Sequence, residues 1–425
     1  MALIAHPRTL LRALTLAVGL LAAAGCAGLA EIRPLSEAGT RQAAPPPEAG
    51  DGQAADETPG PTSTPEPALP PDRFWIAVEG GGDALAAVSP DGEVEVVRLP
   101  LNEGQQATDV IAAPDGESLA YLAWDADGTQ LGIAVWRLDE PNARLIARPE
   151  DGMRIIGLAF SGDEAGLAYV QVEEGRALAE AGWQVSVIPA GGGASTVVAT
   201  PATLAEMLAP VPLGWPVDGP LLLAPAAPDA SAEGIFAVDT ETATGSQLVP
   251  VEGRLIADPQ LSPDGTRLAF LASDSAGDAS SGGVYAAKQV HIYDLRRGDL
   301  TTMEAPRGQM IYGVRWHPDG VRLLLDIVAP SPDDAGGQIQ VWALVESGRE
   351  PPWPGSPQGP GPGRDRLFDY VPYREGVVYT LLPDGEEWAL YIVPNLVEGQ
   401  EMNVVSLETI AHPSGAPVIV HAPTS

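Results

Sequence analysis

The residues of this chain that could carry chemistry are acids, the four histidines that follow the N-terminal segment, and one cysteine. Trp124-Asp125-Ala126-Asp127-Gly128-Thr129 sets two carboxylates at alternate positions before a glycine. A calcium loop begins that way, because Ca²⁺ takes oxygen ligands from alternating residues. The third ligand and the distal glutamate of a full loop are missing, and a hairpin turn accounts for the same residues equally well. Asp125 and Asp127 are therefore the only calcium candidates, and no other cofactor is expected. His291, His317, His412 and His421 follow the N-terminal segment, and none has a partner at metal-ligand spacing. No nucleophile elbow of the Gly-x-Ser-x-Gly kind and no phosphate-binding loop occurs. Asp109, Asp258 and Asp369 each stand near the start of a predicted strand. They are the best candidates for the acid and base of a hydrolase or lyase.

Charge excludes one large class of function. The 425 residues hold 57 acidic and 23 basic side chains, for a formal net charge of −34. Nucleic-acid binding depends on neutralising phosphates with Lys and Arg, so no nucleic acid is expected as a partner. Acidity of this size favours solubility and cationic or basic partners. Cys26 is the single cysteine, so no disulfide forms within the chain.

Cys26 points instead to export. Arg8 and Arg12 precede an apolar run from Ala13 to Ala24. That run is too short to span a bilayer as a helix and fits the core of a signal peptide. Ala23-Ala24-Gly25-Cys26 resembles the lipobox of bacterial lipoproteins, departing only at Ala23, where Leu is usual. The resemblance implies lipid on Cys26, removal of residues 1–25, and an extracytoplasmic, membrane-anchored protein, either periplasmic or at the cell surface. Cleavage after Ala30 with free secretion is the alternative. Residues 26–72 are rich in Pro, Ala, Gly and acids and lack apolar periodicity. They read as a disordered, extended tether.

The elements that must position any site begin at Arg73 and run to residue 425. Short apolar runs alternate at period two, as in Ile339-Gln340-Val341-Trp342-Ala343-Leu344, and Gly, Pro and Asp separate them. This is the pattern of an all-β domain with hairpin connections. Only a stretch such as Arg176 to Ala181 could be helical. One motif recurs: an apolar run, a pair often ending in Pro, then Asp-Gly, then a second apolar run. It occurs at Ala113-Pro114-Asp115-Gly116, Trp215-Pro216-Val217-Asp218-Gly219, Leu261-Ser262-Pro263-Asp264-Gly265 and Trp316-His317-Pro318-Asp319-Gly320. Weaker copies are Phe160-Ser161-Gly162-Asp163 and Pro372-Tyr373-Arg374-Glu375-Gly376. Asp-Gly suits a tight turn, since Gly accepts positive φ and Asp bonds the turn backbone. A spacing of about 45 to 55 residues matches a four-stranded propeller blade.

Ser262-Pro263-Asp264-Gly265-Thr266-Arg267-Leu268-Ala269-Phe270 resembles the repeat of TolB-type, WD-repeat-like β-propellers, which also occurs in the propeller domain of prolyl oligopeptidases. The resemblance implies a propeller and no particular activity. It also implies no prolyl oligopeptidase chemistry, because no hydrolase domain follows before Ser425. Six blades are expected to begin near Ala107, Arg154, Pro210, Ile256, Ile311 and Leu367. Three leading strands lack an inner partner, and an orphan strand over Ala416–His421 completes a seventh blade with them. Six or eight blades are the alternatives. Closure of that kind pairs an edge that would otherwise be exposed.

Long connections are expected between the second and third strands of the blades, all on one face. Asp125, Asp127, Glu173, Glu174, Asp229, Glu233, Asp274, Asp278, Asp333 and Asp334 fall there and form the predicted binding face. The function expected from these features is a non-catalytic scaffold that binds an envelope protein or a cationic ligand. A propeller hydrolase or lyase on polysaccharide or phosphoester is the first alternative, and a solute or signal sensor the second.

Overall fold

A computed structural model describes residues 73–78, 81–178, 180–204, 207–226, 234–249, 255–273, 287–331, 338–353, 355–356, 366–382, 387–396, 403–407 and 416–422. Cys26, the export signal and the tether lie outside them, as do Asp229, Glu233, Asp274, Asp278, Asp333 and Asp334. No helix occurs among the described residues, including Arg176–Leu178, Glu180 and Ala181.

Among the described residues the strands form seven four-stranded antiparallel sheets, so the all-β propeller with seven blades stands. Blade 1 joins β1 (Phe74–Val78), β2 (Ala84–Val88) and β3 (Val94–Arg98) to the C-terminal strand β28 (Pro417–His421). Blade 2 runs from β4 (Gln106–Ala112) to β7 (Arg144–Ala147), and blade 3 from β8 (Met153–Phe160) to β11 (Thr196–Ala199). Blade 4 runs from β12 (Pro210–Gly214) to β15 (Thr244–Val249), and blade 5 from β16 (Leu255–Leu261) to β19 (Leu300–Glu304). Blade 6 runs from β20 (Met310–Trp316) to β23 (Gly355–Ser356), and blade 7 from β24 (Arg366–Tyr373) to β27 (Asn403–Ser406). The inner strands are β28, β4, β8, β12, β16, β20 and β24, and each touches the next all the way round.

The core lies between blades. Each of the seven junctions holds its own apolar cluster. Phe74 and Ile76 of blade 1 meet Tyr373, Val378 and Leu390 of blade 7. Leu221 and Phe236 of blade 4 meet Val170 and Trp183 of blade 3. Strands buried on both faces explain the continuous apolar runs that follow each turn, such as Leu323-Leu324-Leu325.

Inner strands are bulged at corresponding places, with register shifts at Thr108/Ile111, Ile156/Leu158, Pro212/Gly214, Ala257/Gln260, Ile311/Gly313 and Leu367/Asp369. An extra residue at a bulge leaves the ladder and re-aims its side chain. Asp109 and Asp258 occupy such bulges at φ +49° and +47°. The Asp258 carboxylate reaches from its bulge to Val314 and Arg315 of the neighbouring blade.

Candidate catalytic groove

The first-to-second-strand turns of successive blades touch edge to edge and form a collar on one face of the ring. Ser161 and Trp215 form a parallel bridge between blades 3 and 4. Arg267 donates from Nη2 to the Gly320 carbonyl, joining blades 5 and 6. Arg322 donates to Glu375 at 2.6 Å, joining blades 6 and 7.

Each turn is built by its aspartate. Ser262 Oγ donates to Asp264 Oδ1 at 2.6 Å, and the Thr266 N–H donates to the same oxygen at 3.1 Å. The Arg267 N–H in turn donates to Ser262 Oγ at 2.9 Å. Ser161, Asp163 and Gly166 repeat the pattern in blade 3. His317 takes the serine slot in blade 6, where its Nε2 meets the Arg374 carbonyl at 2.7 Å. Burial pushes the Asp264 and Asp319 carboxyls up, but the bonds from Ser262 and Thr266, and from Arg322 and Val321, outweigh it and hold both low. Asp163 is held low by Ser161 and the Ala165 N–H.

Four of these turns close identically, with the fourth residue donating to the carbonyl of the first. The donors are Gly116, Glu164, Gly265 and Gly320, at 2.8 to 2.9 Å. Their φ values are +71°, +63°, +67° and +67°. Three are glycines, as the conformation favours. Glu164 is the exception, and a side chain there costs about 1–2 kcal/mol. Backbone strain of this kind persists where the surroundings enforce it and often marks a functional position.

The Glu164 side chain meets Asp115 of the blade 2 turn. Burial, a side-chain hydrogen bond with Asp115 and repulsion from that carboxylate push the Glu164 carboxyl up to about 7. Repulsion between neighbouring carboxyls favours the protonated form of Glu164. The pair lines a groove of about 250 Å³ between blades 2 and 3, together with Ser118, Arg137, Arg144 and Phe160. Arg137 is paired to Asp139 at 3.2 Å, and Arg144 donates to the Gly191 carbonyl at 2.7 Å. Against the same turn, His421 of β28 lies within 3.6 Å of where a Cβ on Gly116 would sit. Burial holds that imidazole below its usual value of 6.5. Ring closure thus supports the turn that carries Asp115.

The sequence-predicted acids that fall among the described residues lie elsewhere. Asp125 caps its own hairpin, its Oδ1 accepting the Asp127 and Thr129 N–H groups at 3.0 and 2.8 Å. Among the described residues no three His, Cys, Asp or Glu side chains gather to hold a metal. Glu173 ends β9 (Gly166–Glu173), and its carboxylate accepts the Gly182 N–H. Glu174 follows it in the same connection. These residues lie on the second-to-third-strand face, opposite the collar. Asp258 accepts the Val314 N–H at 2.8 Å and pairs with Arg315 at 2.6 Å, both in the next blade. Asp369 accepts the Ile419 N–H at 2.9 Å and so holds β28 in the ring. Thr108 Oγ1 donates to Asp109 Oδ2 at 3.2 Å. Sequence reasoning missed the pair of Asp115 and Glu164. The available signal was the Asp-Glu at 163–164 where the other turns read Asp-Gly.

No family model matches the sequence, and no curated protein is significantly similar to it. Among solved structures, it is similar to oligogalacturonate lyase from Vibrio parahaemolyticus, with a TM-score of 0.48 and 12% identity over 66% of this chain and 78% of that one. A prolyl endopeptidase matches with a TM-score of 0.48 and 14% identity over 79% of this chain and 42% of that one. Puromycin hydrolase matches with a TM-score of 0.46 and 15% identity over 73% of this chain and 50% of that one. At such identities the likeness is one of fold, and no substrate follows from it. The structures it resembles are those of enzymes, against the two expectations from sequence of a non-catalytic scaffold and of no enzymatic activity, which are not carried further. Both had treated the ring as a binding platform because it lacks a nucleophile motif. A carboxyl pair needs no such motif.

Proposed function

We propose that the chain is an acid–base hydrolase or lyase of the propeller type, acting on a polar glycan or phosphoester through Glu164 and Asp115. The observation that carries this reading is the strained Glu164, held at the one equivalent turn position where glycine is otherwise used and hydrogen-bonded to a second carboxyl in a groove. A group titrating near 7 holds and releases protons at neutral pH, which is the requirement for general acid–base work.

Hydrogen-bonded carboxyls stand closer than the roughly 5 to 9.5 Å of paired glycosidase acids, so they act as one proton-sharing unit. In hydrolysis, Asp115 as carboxylate takes a proton from water while the water oxygen bonds to the electrophilic centre. Glu164 gives its proton to the departing oxygen. In elimination, Asp115 takes the proton from carbon and Glu164 again protonates the leaving group. Either way Glu164 loses one proton to the leaving group and Asp115 gains one from water or carbon, and proton exchange between the two carboxyls resets the site. No cofactor is needed for that transfer.

The resemblance of the Ser262-Pro263-Asp264-Gly265 turns to TolB-type propellers and the lipobox-like segment support an extracytoplasmic setting for this chemistry, with lipid on Cys26. Incorporation of labelled palmitate that disappears in Cys26→Ala is the check on that anchor.

The activity is tested with chromogenic glycosides and bis(4-nitrophenyl) phosphate on the full chain. Turnover is expected to fall about 100-fold or more in Glu164→Gln, in the range of general acid–base contributions. It is also expected to fall as pH rises through about 7, where the pair loses its proton. No turnover of any substrate in the panel, or turnover unchanged in Glu164→Gln, contradicts the reading.

A further inference from the structure

A second groove, of about 380 Å³, lies between blades 3 and 4 on the same face and is lined by Ser161, Asp163, Gly166, Trp215 and Asp218. Its design is clear from a comparison within the molecule. At the junction of blades 5 and 6, Arg267 opens β17 (Arg267–Ser273) and Trp316 ends β20. The Arg267 guanidinium lies over the Trp316 ring with Cζ 4.8 Å from the ring centre. Its Nη1 donates to Ser347 Oγ at 2.8 Å, its Nη2 donates to the Gly320 carbonyl, and its charge helps keep Asp264 ionised. Ser262 and Asp264 complete the turn beneath it.

The junction of blades 3 and 4 has the same parts in the same places except one. Ser161 and Asp163 form the same turn with the same bonds. Trp215 follows directly on β12, in the place of Trp316 before its turn. Gly166 opens β9, in the place of Arg267. A Cβ on Gly166 would lie 3.0 Å from Cζ3 and 3.2 Å from Cη2 of Trp215, so this position abuts the indole. With no side chain there, the ring is left open to the groove. Trp316 is 7% exposed beneath its arginine, whereas Trp215 is only half-buried. Asp218 adds a second carboxylate to the lining, at φ +56°, another position that disfavours a side chain.

We infer that the blade 3–4 groove binds a guanidinium group supplied from outside the chain, such as an arginine side chain, stacked on Trp215 between Asp163 and Asp218. A cation over an indole is attracted to the ring face, and arginine is the commonest partner in such stacks. Asp163 Oδ1 is engaged by Ser161 and Ala165, as Asp264 Oδ1 is by Ser262 and Thr266. Neither bond involves Oδ2 of Asp163, which leaves that oxygen for the incoming cation. The net charge of −34 draws cations to the surface as a whole, and this groove gives one of them a shaped seat. The inference does not rest on the activity proposed for Glu164 and Asp115.

The test is calorimetric titration of the full chain with Nα-acetyl-arginine amide, its lysine and citrulline counterparts, and a short arginine-containing peptide. The arginine amide is expected to bind about tenfold or more tightly than the uncharged citrulline compound, which has nearly the same shape. The peptide is expected to bind at least as well as the free amide. Trp215→Leu should weaken arginine binding by a similar factor. Gly166→Arg, which supplies the missing side chain from within, should abolish it while the far-ultraviolet circular dichroism stays unchanged. If Gly166→Arg does not fold, Asp163→Asn with Asp218→Asn serves, with the same loss expected. Equal binding of arginine and citrulline compounds, or arginine binding that survives these variants in a folded protein, overturns the inference.

Discussion

Glu164 sits in a turn that glycine would fill with less strain, and its carboxyl holds a proton that a free carboxylate would release. Both features cost stability, and both are measurable. Glu164→Gly is expected to stabilise the protein by about 1 kcal/mol from the backbone alone, read by urea denaturation, while removing turnover. A glutamate kept for packing would give the opposite stability change. The pH dependence has a defined sign. Glu164 titrates near 7 in the folded chain against 4.5 unperturbed, so the folded state binds more protons across that window. Stability should therefore fall as pH rises from about 4.5 to 7, and Glu164→Gln should flatten that slope. Little of this is legible in the sequence. Ser161-Gly162-Asp163 reads as a weak copy of the turn motif, but that Glu164 faces Asp115 follows only from how neighbouring blades set their turns edge to edge.

The turn and the inner strand are the elements that carry the architecture, and the sequence shows the turn well. Asp-Gly pairs predict tight turns capped by aspartate, and the bonds to Asp163, Asp264 and Asp319 are those caps. All three carboxyls sit below the usual range. Depressed values contribute stability that is present above about 4 and lost as pH falls below it. Asp319→Asn should therefore make acid unfolding shallower, as followed by fluorescence. The inner-strand acids were legible as positions and not as roles. Asp258 and Asp369 looked like a catalytic set because they recur near strand starts. Bulges aim them at the next blade, where each accepts a backbone N–H. Asp369→Ala leaves the N–H groups of Tyr370 and Ile419 without that acceptor. The expected cost is about 1–3 kcal/mol per stranded group, visible as a lower midpoint in urea.

At the scale of the molecule, the ring was the most legible feature, because blade count depends on a repeat and not on any single residue. The predicted starts near Ala107, Arg154, Pro210, Ile256, Ile311 and Leu367 fall in or at the inner strands β4, β8, β12, β16, β20 and β24. The C-terminal strand β28 pairs with β1 as the orphan-strand argument requires. Removing residues 416–425 should expose the apolar cluster between blades 7 and 1, which includes Ile419, and produce aggregates in size-exclusion chromatography. Loop length directed attention to the second-to-third-strand face. The two grooves open on the collar face instead, where short turns vary one residue at a time: Glu for Gly at 164, and Gly where Arg stands in the matching junction at 166. A composition argument does not register a change of that size.

The measurement that tests the central claim most directly is a carbon-detected NMR titration of the Glu164 carboxyl in the full chain and in Asp115→Asn. A midpoint near 7 that falls when Asp115 loses its charge, yet stays above 4.5 because burial remains, is the predicted result. A midpoint near 4.5 in both proteins would mean that the two carboxyls share no proton, and the acid–base reading of the groove would be contradicted.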